Sequence, residues 1–253
     1  MPDNVAPPPA LAAVIDAFWQ HTGTGRELRV LPDGCMDFLF DLERGTGRVI
    51  GAMTEAALVA MPEGERYFGV RFLPGAAAPF VTVRAHELAD VDAPLGDVTL
   101  AGRERLAERV AEAREPAERR RLVAAYLALP MHRVRPVERR VRRALVALRS
   151  ATGAGTVRDT ARSLGLGERQ LERLFAAEVG IGPKTFARVA RLERALTLLR
   201  GTARGQAALA SAAGYADESH LIREFRALAL ATPAEIARER HVGFVQADRE
   251  LSR

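Results

Sequence analysis

The sequence predicts an α+β chain: a β-rich N-terminal module with flanking helices over residues 1–132, then an all-α domain of seven helices over residues 133–253. Three observations predict it. Apolar residues alternate singly as far as Leu73 and recur at helical spacing after Pro94. The formal charge divides the same way, −7 over residues 1–100, +2 over 101–132 and +10 over 133–253. The basic part also repeats itself at an offset of 50 residues. A length of 253 residues suits two domains at about 150 each. With 48% hydrophobic and 27% charged residues, a wholly disordered, collagen-like or coiled-coil chain is excluded. The single cysteine excludes a disulfide framework and any CxxC metal site. No apolar run approaches the roughly 18 residues of a membrane span. The start, with Asp3 and a run of three prolines, lacks the positive charge of a signal peptide. A cytoplasmic location is the expectation.

The elements follow in order. Asp16, Phe18 and Trp19 are expected in a short leading helix covering a sheet. From Glu27 to Leu73 aromatic and β-branched residues alternate with polar ones, placing Met36, Phe38 and Phe40 on one strand face and Phe68, Val70 and Phe72 on another. Turn signals stand at Pro32-Asp33-Gly34, Gly45-Thr46-Gly47, Pro62-Glu63-Gly64 and Pro74-Gly75. An antiparallel sheet or small open barrel fits this spacing. Leu106, Val110 and Ala113, then Leu122, Tyr126 and Leu129, mark two helices, with Pro116 opening the second. Pro130 and Pro136 interrupt the chain around a basic connector, Met131 to Arg135, where the domain boundary is placed. Helices are then expected at Val137 to Leu148, Val157 to Leu164, Glu168 to Val179, Lys184 to Leu199, Gln206 to Ala213, Asp217 to Leu228 and Pro233 to Arg240.

At the 50-residue offset the identities are Glu168 with Glu218, Leu171 with Leu221, Arg173 with Arg223, Phe175 with Phe225, Pro183 with Pro233, Ala187 with Ala237 and Arg188 with Arg238. One supersecondary unit is duplicated. Each copy opens with a small Ala inside its first helix (Ala161, Ala210) and a Gly four residues on (Gly165, Gly214). The Ala permits a close crossing, and the Gly can take the left-handed backbone of a tight turn. An apolar return follows at Leu171 or Leu221, which is the anatomy of a helix-turn-helix. In the second helices, Leu171, Leu174 and Phe175, and Leu221, Ile222 and Phe225, are expected inside. Arg169, Gln170, Glu172 and Arg173, and Glu218, Ser219, His220 and Arg223, are left outside. Arg can bond guanine O6 and N7, Gln adenine N6 and N7, and Glu can accept from cytosine N4, so this mixture suits base edges in a major groove. An ordinary charged helix face is the plain alternative; duplication, spacing and the +10 charge decide for DNA. The helix from Lys184 to Leu199 can hold both copies apart, with Phe186, Val189, Leu192, Leu196 and Leu199 inward and Lys184, Arg188, Arg191 and Arg194 around the rest. Two readers on one side of a duplex should sit about 34 Å apart.

Glu168-Arg-Gln-Leu-Glu-Arg-Leu-Phe175, Gly180-Ile-Gly-Pro-Lys184, Gly214-Tyr-Ala-Asp-Glu-Ser-His-Leu-Ile-Arg-Glu-Phe225 and Thr232-Pro233 resemble the DNA-binding domain of AraC-type transcription regulators over residues 140–240 or so. The resemblance implies seven helices with two helix-turn-helix units, and base contact by Arg169, Glu172, Arg173, Ser219, His220 and Arg223. It implies double-stranded DNA and RNA polymerase as partners, with no catalysis and no cofactor; an activator is the expectation, and repression is left open. Three positions depart from the pattern. Gly167 stands where Ser usually caps the first reading helix, Thr160 replaces a leucine, and Leu230 replaces the Gly after the second reading helix. Leu31-Pro-Asp-Gly-Cys-Met-Asp-Phe38 and Gly69-Val-Arg-Phe-Leu-Pro-Gly75 resemble a poorly characterised module found ahead of this domain. That implies sensing or oligomerisation; a small-molecule effector and a homodimer are both left open.

Elsewhere the sequence is plainer. Cys35 could be a thiol sensor or nucleophile, but a lone cysteine beside a strand is more often a small buried hydrophobe. An enzyme acting through Cys35 and an architectural DNA binder without an effector are the rival classes. The five histidines show no His-x-His or Glu-x-x-His spacing, so no metal site is expected. No phosphate loop, dinucleotide fingerprint or Gly-x-Ser-x-Gly elbow occurs. Trp19, Met36, Phe38, Phe40, Tyr67, Phe68 and Phe72 could line a ligand pocket or simply form the sheet core.

Overall fold

The computed structural model describes residues 3–99, 105–131, 137–150, 157–201, 205–239 and 242–243. The strands are β1 (Asp3–Val5), β2 (Ile15–Thr22), β3 (Arg26–Val30), β4 (Asp37–Asp41), β5 (Thr46–Ile50), β6 (Ala57–Met61), β7 (Arg66–Phe72) and β8 (Asp92–Pro94). Then come α1 (Leu95–Val98), α2 (Arg105–Glu112) and α3 (Pro116–Met131). The basic part holds α4 (Arg139–Ser150), α5 (Val157–Ser163), α6 (Glu168–Glu178), α7 (Pro183–Gly201), α8 (Gln206–Ala213), α9 (Glu218–Ala229) and α10 (Pro233–Arg238), closing on β9 (Val242–Gly243). The predicted α+β class and the seven C-terminal helices are present among the described residues.

A six-stranded antiparallel sheet has the order β1-β2-β7-β4-β5-β8, and a smaller sheet has the order β6-β3-β9. Residues that alternate along a strand face opposite sides of a sheet. Phe38, Phe40, Phe68, Val70 and Phe72 therefore share one buried face with Phe18 and Val49. On the opposite face Asp37 pairs across the strands with Arg71, and Leu39 with Gly69. A Cβ at Gly69 would lie 2.0 Å from the Trp19 ring, so the glycine gives the indole its seat.

One expectation is corrected. Asp16, Phe18 and Trp19 lie in β2, not in a leading helix, because β2 is paired along its length with β7 and exposes its aromatic rings to opposite faces. In α3 the inward residues are Val123, Tyr126 and Leu127, with Leu122 only half-buried. Buried Arg119 of α3 donates to the carbonyls of Val110 and Ala113 and to Gln20 Oε1. It thereby satisfies the open carbonyls at the end of α2. Leu129 and residues 132–136 of the expected connector lie outside the described side chains or residues.

The apolar core does not stop between the two halves. Phe18 and Phe38 belong to one continuous cluster with Leu171, Phe175 and Phe186, so the first repeat shares its core with the sheet. A separate cluster unites Leu192, Leu196, Leu221, Phe225 and Leu228 of the second repeat with Leu31 and Ala56.

Candidate nucleic-acid interface

The interface is built from the duplicated units, α5–α6 and α8–α9. Each first helix ends on a left-handed glycine, Gly165 at φ 67° and Gly214 at φ 85°. The amides that follow close the same bond: Leu166 N–H donates to the Ala161 carbonyl and Tyr215 N–H to the Ala210 carbonyl, both at 2.9 Å. Ala161 and Ala210 are each 1% exposed, as close helix crossing requires. Local chemistry thus produces the same turn twice.

On α6, Leu171 and Phe175 are fully buried while Arg169, Gln170, Glu172 and Arg173 are exposed. On α9, Leu221 and Phe225 are buried while Glu218, Ser219 and Arg223 are exposed and His220 is half-buried. Leu174 and Ile222 lie half-buried at the margin of these faces. His220 is partly engaged within its own unit. Its Nδ1 accepts from Ala216 N–H at 3.3 Å, and its ring meets Tyr215 edge to face at 5.3 Å.

The units differ at their ends. Asp217 caps α9, accepting the His220 N–H at 2.6 Å, whereas Gly167 offers α6 no side-chain acceptor. The chain leaves α6 through Gly180 at φ 95°, and it leaves α9 through Leu230 at φ 53°.

Most of the α7 cations expected at the surface are committed to structure. Arg188 forms a double-pronged pair with Glu224 on α9 at 3.0–3.2 Å. Arg191 lies over the Tyr215 ring at 5.5 Å, and Arg194 donates to the carbonyls of Ala213 and Arg149. These contacts fasten α7 to the second unit and to α4; Lys184 is exposed.

The N-terminal half reaches both units. A Cβ on Gly180 would stand 2.8 Å from the Ala85 carbonyl oxygen, so the exit of α6 is pressed against that half. At α9, Arg29 of β3 donates to the carbonyls of Ala229 and Leu230 at 3.0 and 3.4 Å and pairs with both oxygens of Glu239 at 3.0 Å. Ala56 N–H donates to the Leu228 carbonyl at 2.7 Å. A guanidinium on the last carbonyls of a helix suits both their open acceptors and the negative end of its dipole. Sequence reasoning missed Arg29, whose partners lie about two hundred residues away.

Between the two sheets lies a cavity of about 440 Å³ lined by Trp19, Leu28, Val30, Leu39, Ile50 and Val59, with Asp33, Cys35, Asp37 and Arg71 at its polar end. Of the residues expected to line a pocket, Trp19 alone does so; the phenylalanines belong to the other face of the sheet. Cys35 is buried, and burial first, then Asp33, pushes its thiol well above the ordinary range, which suits packing and disfavours a nucleophile. No group of three metal-ligating side chains occurs among the described residues, and no helix there is long and apolar enough to cross a membrane.

Comparison with known proteins agrees with this geometry. Residues 160–239 match the family described as a helix-turn-helix domain, and residues 3–94 match a domain of unknown function. A transcriptional regulator with an AraC-type DNA-binding domain from Chromobacterium violaceum is 28% identical, covering 38% of this chain and 87% of that one with a TM-score of 0.36. ToxT from Vibrio cholerae is 8% identical, covering 87% of this chain and 97% of that one with a TM-score of 0.50, a likeness of fold. No curated protein matches the chain. Regulators of this type are not enzymes. Residues 160–239 are therefore a helix-turn-helix domain of the AraC type, and the chain that carries them behind a domain of unknown function is a DNA-binding transcription regulator.

Proposed function

We propose that the protein is a sequence-specific regulator that lays α6 and α9 in adjacent major grooves, and that its N-terminal domain, residues 1–132, sets the pose of the reading domain, residues 133–253. Arg169, Gln170, Glu172 and Arg173 face the bases of one half-site; Glu218, Ser219, His220 and Arg223 face those of the other. The observation that carries this reading is the matched exposure of Arg173 and Arg223, seated at the same register of two copies of one unit. Contact with RNA polymerase, activation, pairing into a homodimer and a cytoplasmic location belong to the same proposal.

The test is a selection of bound sequences from random DNA with the full-length chain, followed by Arg173→Ala and Arg223→Ala on the selected site. Each variant should lose about 1–3 kcal/mol and relax preference at one base pair. Equal losses on scrambled DNA would make both residues phosphate contacts. Arg29 supports the role given to the N-terminal domain, because it grips the exit of the second reading helix. Arg29→Met should weaken binding to the two-half-site DNA by about 1 kcal/mol, the scale of a charged helix-end contact, and leave a site holding only the first half unchanged. An unaltered affinity on both would leave the N-terminal domain without influence on α9.

A further inference from the structure

The cavity between the sheets has an unbalanced polar end. Arg71 is 3% exposed and lies between two buried carboxylates, its Nη1 3.2 Å from Asp33 Oδ2 and its Nη2 3.3 Å from Asp37 Oδ2. Asp37 Oδ1 accepts the Trp19 indole N–H at 2.8 Å, and Asp33 Oδ1 accepts the Cys35 amide at 2.8 Å. One guanidinium thus serves two carboxylates, and a negative charge is left over where the walls are apolar. His21 also lines the cavity, and burial holds its imidazole below the ordinary range, which disfavours its charged form. Burial drives Asp37 upward, Arg71 and the indole bond oppose it, and Asp33 adds to it; the net direction is up. At the rim, Asp92 pairs with Arg48, while Asp90 accepts from the Thr54 amide and hydroxyl. A buried charge is tolerated when it is paired and hydrogen-bonded, and a third carboxylate on the same guanidinium would not be. A cation would complete two pairs and could lie against the Trp19 ring.

We propose that this cavity binds an organic cation, a protonated amine whose ammonium sits against Asp33 and Asp37 while its apolar body fills the space between Leu28, Val30, Leu39 and Val59. The volume lies within the roughly 300–1,000 Å³ of small-molecule sites. Leu31 and Ala56 line this cavity and also belong to the core of the second repeat, so an occupant touches the elements that hold α9. This deepens the sensing role proposed above, yet binding itself can be measured without DNA.

Trp19 is the only tryptophan in the chain, so its fluorescence reports occupancy directly, with calorimetry as a second readout. The full-length protein is titrated with 4-phenylbutylamine, 4-phenylbutanol and 4-phenylbutyrate, which share a body and differ in head charge. The amine should bind saturably and about tenfold tighter than the alcohol, the scale of one charge-assisted hydrogen bond, with the carboxylate weakest. Asp33→Asn keeps an oxygen for the Cys35 amide and removes one charge; it should weaken the amine about tenfold and the alcohol little. Val59→Phe, which fills the cavity without touching its polar end, should abolish binding of all three. Equal affinities, a preference for the carboxylate, no binding by any probe, or equal losses for amine and alcohol in Asp33→Asn would each overturn the assignment. If the amine binds as expected and leaves operator affinity unchanged, the site stands and the sensing role falls.

Discussion

The two helix-turn-helix units share a sequence pattern and a turn, but they are anchored by different chemistry. The first is joined to the N-terminal domain through apolar packing: Phe175 and Phe186 lie in the same core as Phe38 and Phe72, and Gly34 lets the Phe186 ring approach within 2.9 Å of where its Cβ would be. The second has a smaller core, to which the N-terminal domain gives only Leu31 and Ala56, and it is also held by polar contacts, the Arg29 guanidinium and the Ala56 amide on the last turn of α9. Packing that removes large aromatic surface from water is hard to undo locally. A few hydrogen bonds at a helix end, each contributing about 1 kcal/mol net, are within reach of a bound ligand. On the proposed function, this difference makes the first unit the fixed reader and the second the adjustable one.

The largest effects should come from the cores. Phe175→Ala and Phe225→Ala should each cost about 3–5 kcal/mol, as buried aromatic truncations do. Only Phe175→Ala should carry the denaturant midpoint of Trp19 fluorescence down by the full amount. In Phe225→Ala, loss of helical circular dichroism should precede the Trp19 transition, and coincident transitions would show one cooperative core. Next come the exits. Gly180→Ala places a Cβ in a left-handed backbone against the Ala85 carbonyl and should destabilise by more than about 1 kcal/mol. Leu230→Gly relieves the same backbone strain and should stabilise by about 1 kcal/mol in thermal melts, since its side chain is 48% exposed and little packing is lost. Opposite signs at positions fifty apart would sharpen the comparison; equal signs would break it. The helix starts are smallest. Asp217→Ala should cost about 1 kcal/mol, and Gly167→Ser should gain a few tenths.

Much of the reading domain was legible in the sequence because its rules are local. The Ala-to-Gly spacing, the caps and the apolar face of each helix all lie within about a dozen residues of one another. Gly167 without a cap and Leu230 in a left-handed exit were legible as departures for the same reason. The N-terminal half was less transparent. Phe18 and Trp19 are adjacent aromatics that fit a helix face or the two sides of a strand, and only pairing with β7 decides between them. Asp37 and Arg71 each stand between apolar neighbours in sequence, which places them opposite the phenylalanine face without saying what covers them. The smaller sheet covers that side and turns it into a cavity wall.

What the sequence determined by itself is the class of each half, the duplication, and which helix faces carry Arg173 and Arg223. These follow from periodicity and from turn residues whose backbone preference is intrinsic. What only the tertiary structure decided is everything requiring two distant segments to meet. The single core linking the sheet to the first unit, the Arg29 grip on α9, the parallel pairing of β9 with β3 and the lone guanidinium shared by Asp33 and Asp37 are of this kind. Burial and charge balance are properties of a neighbourhood in space. No local pattern encodes them until the chain has closed around it.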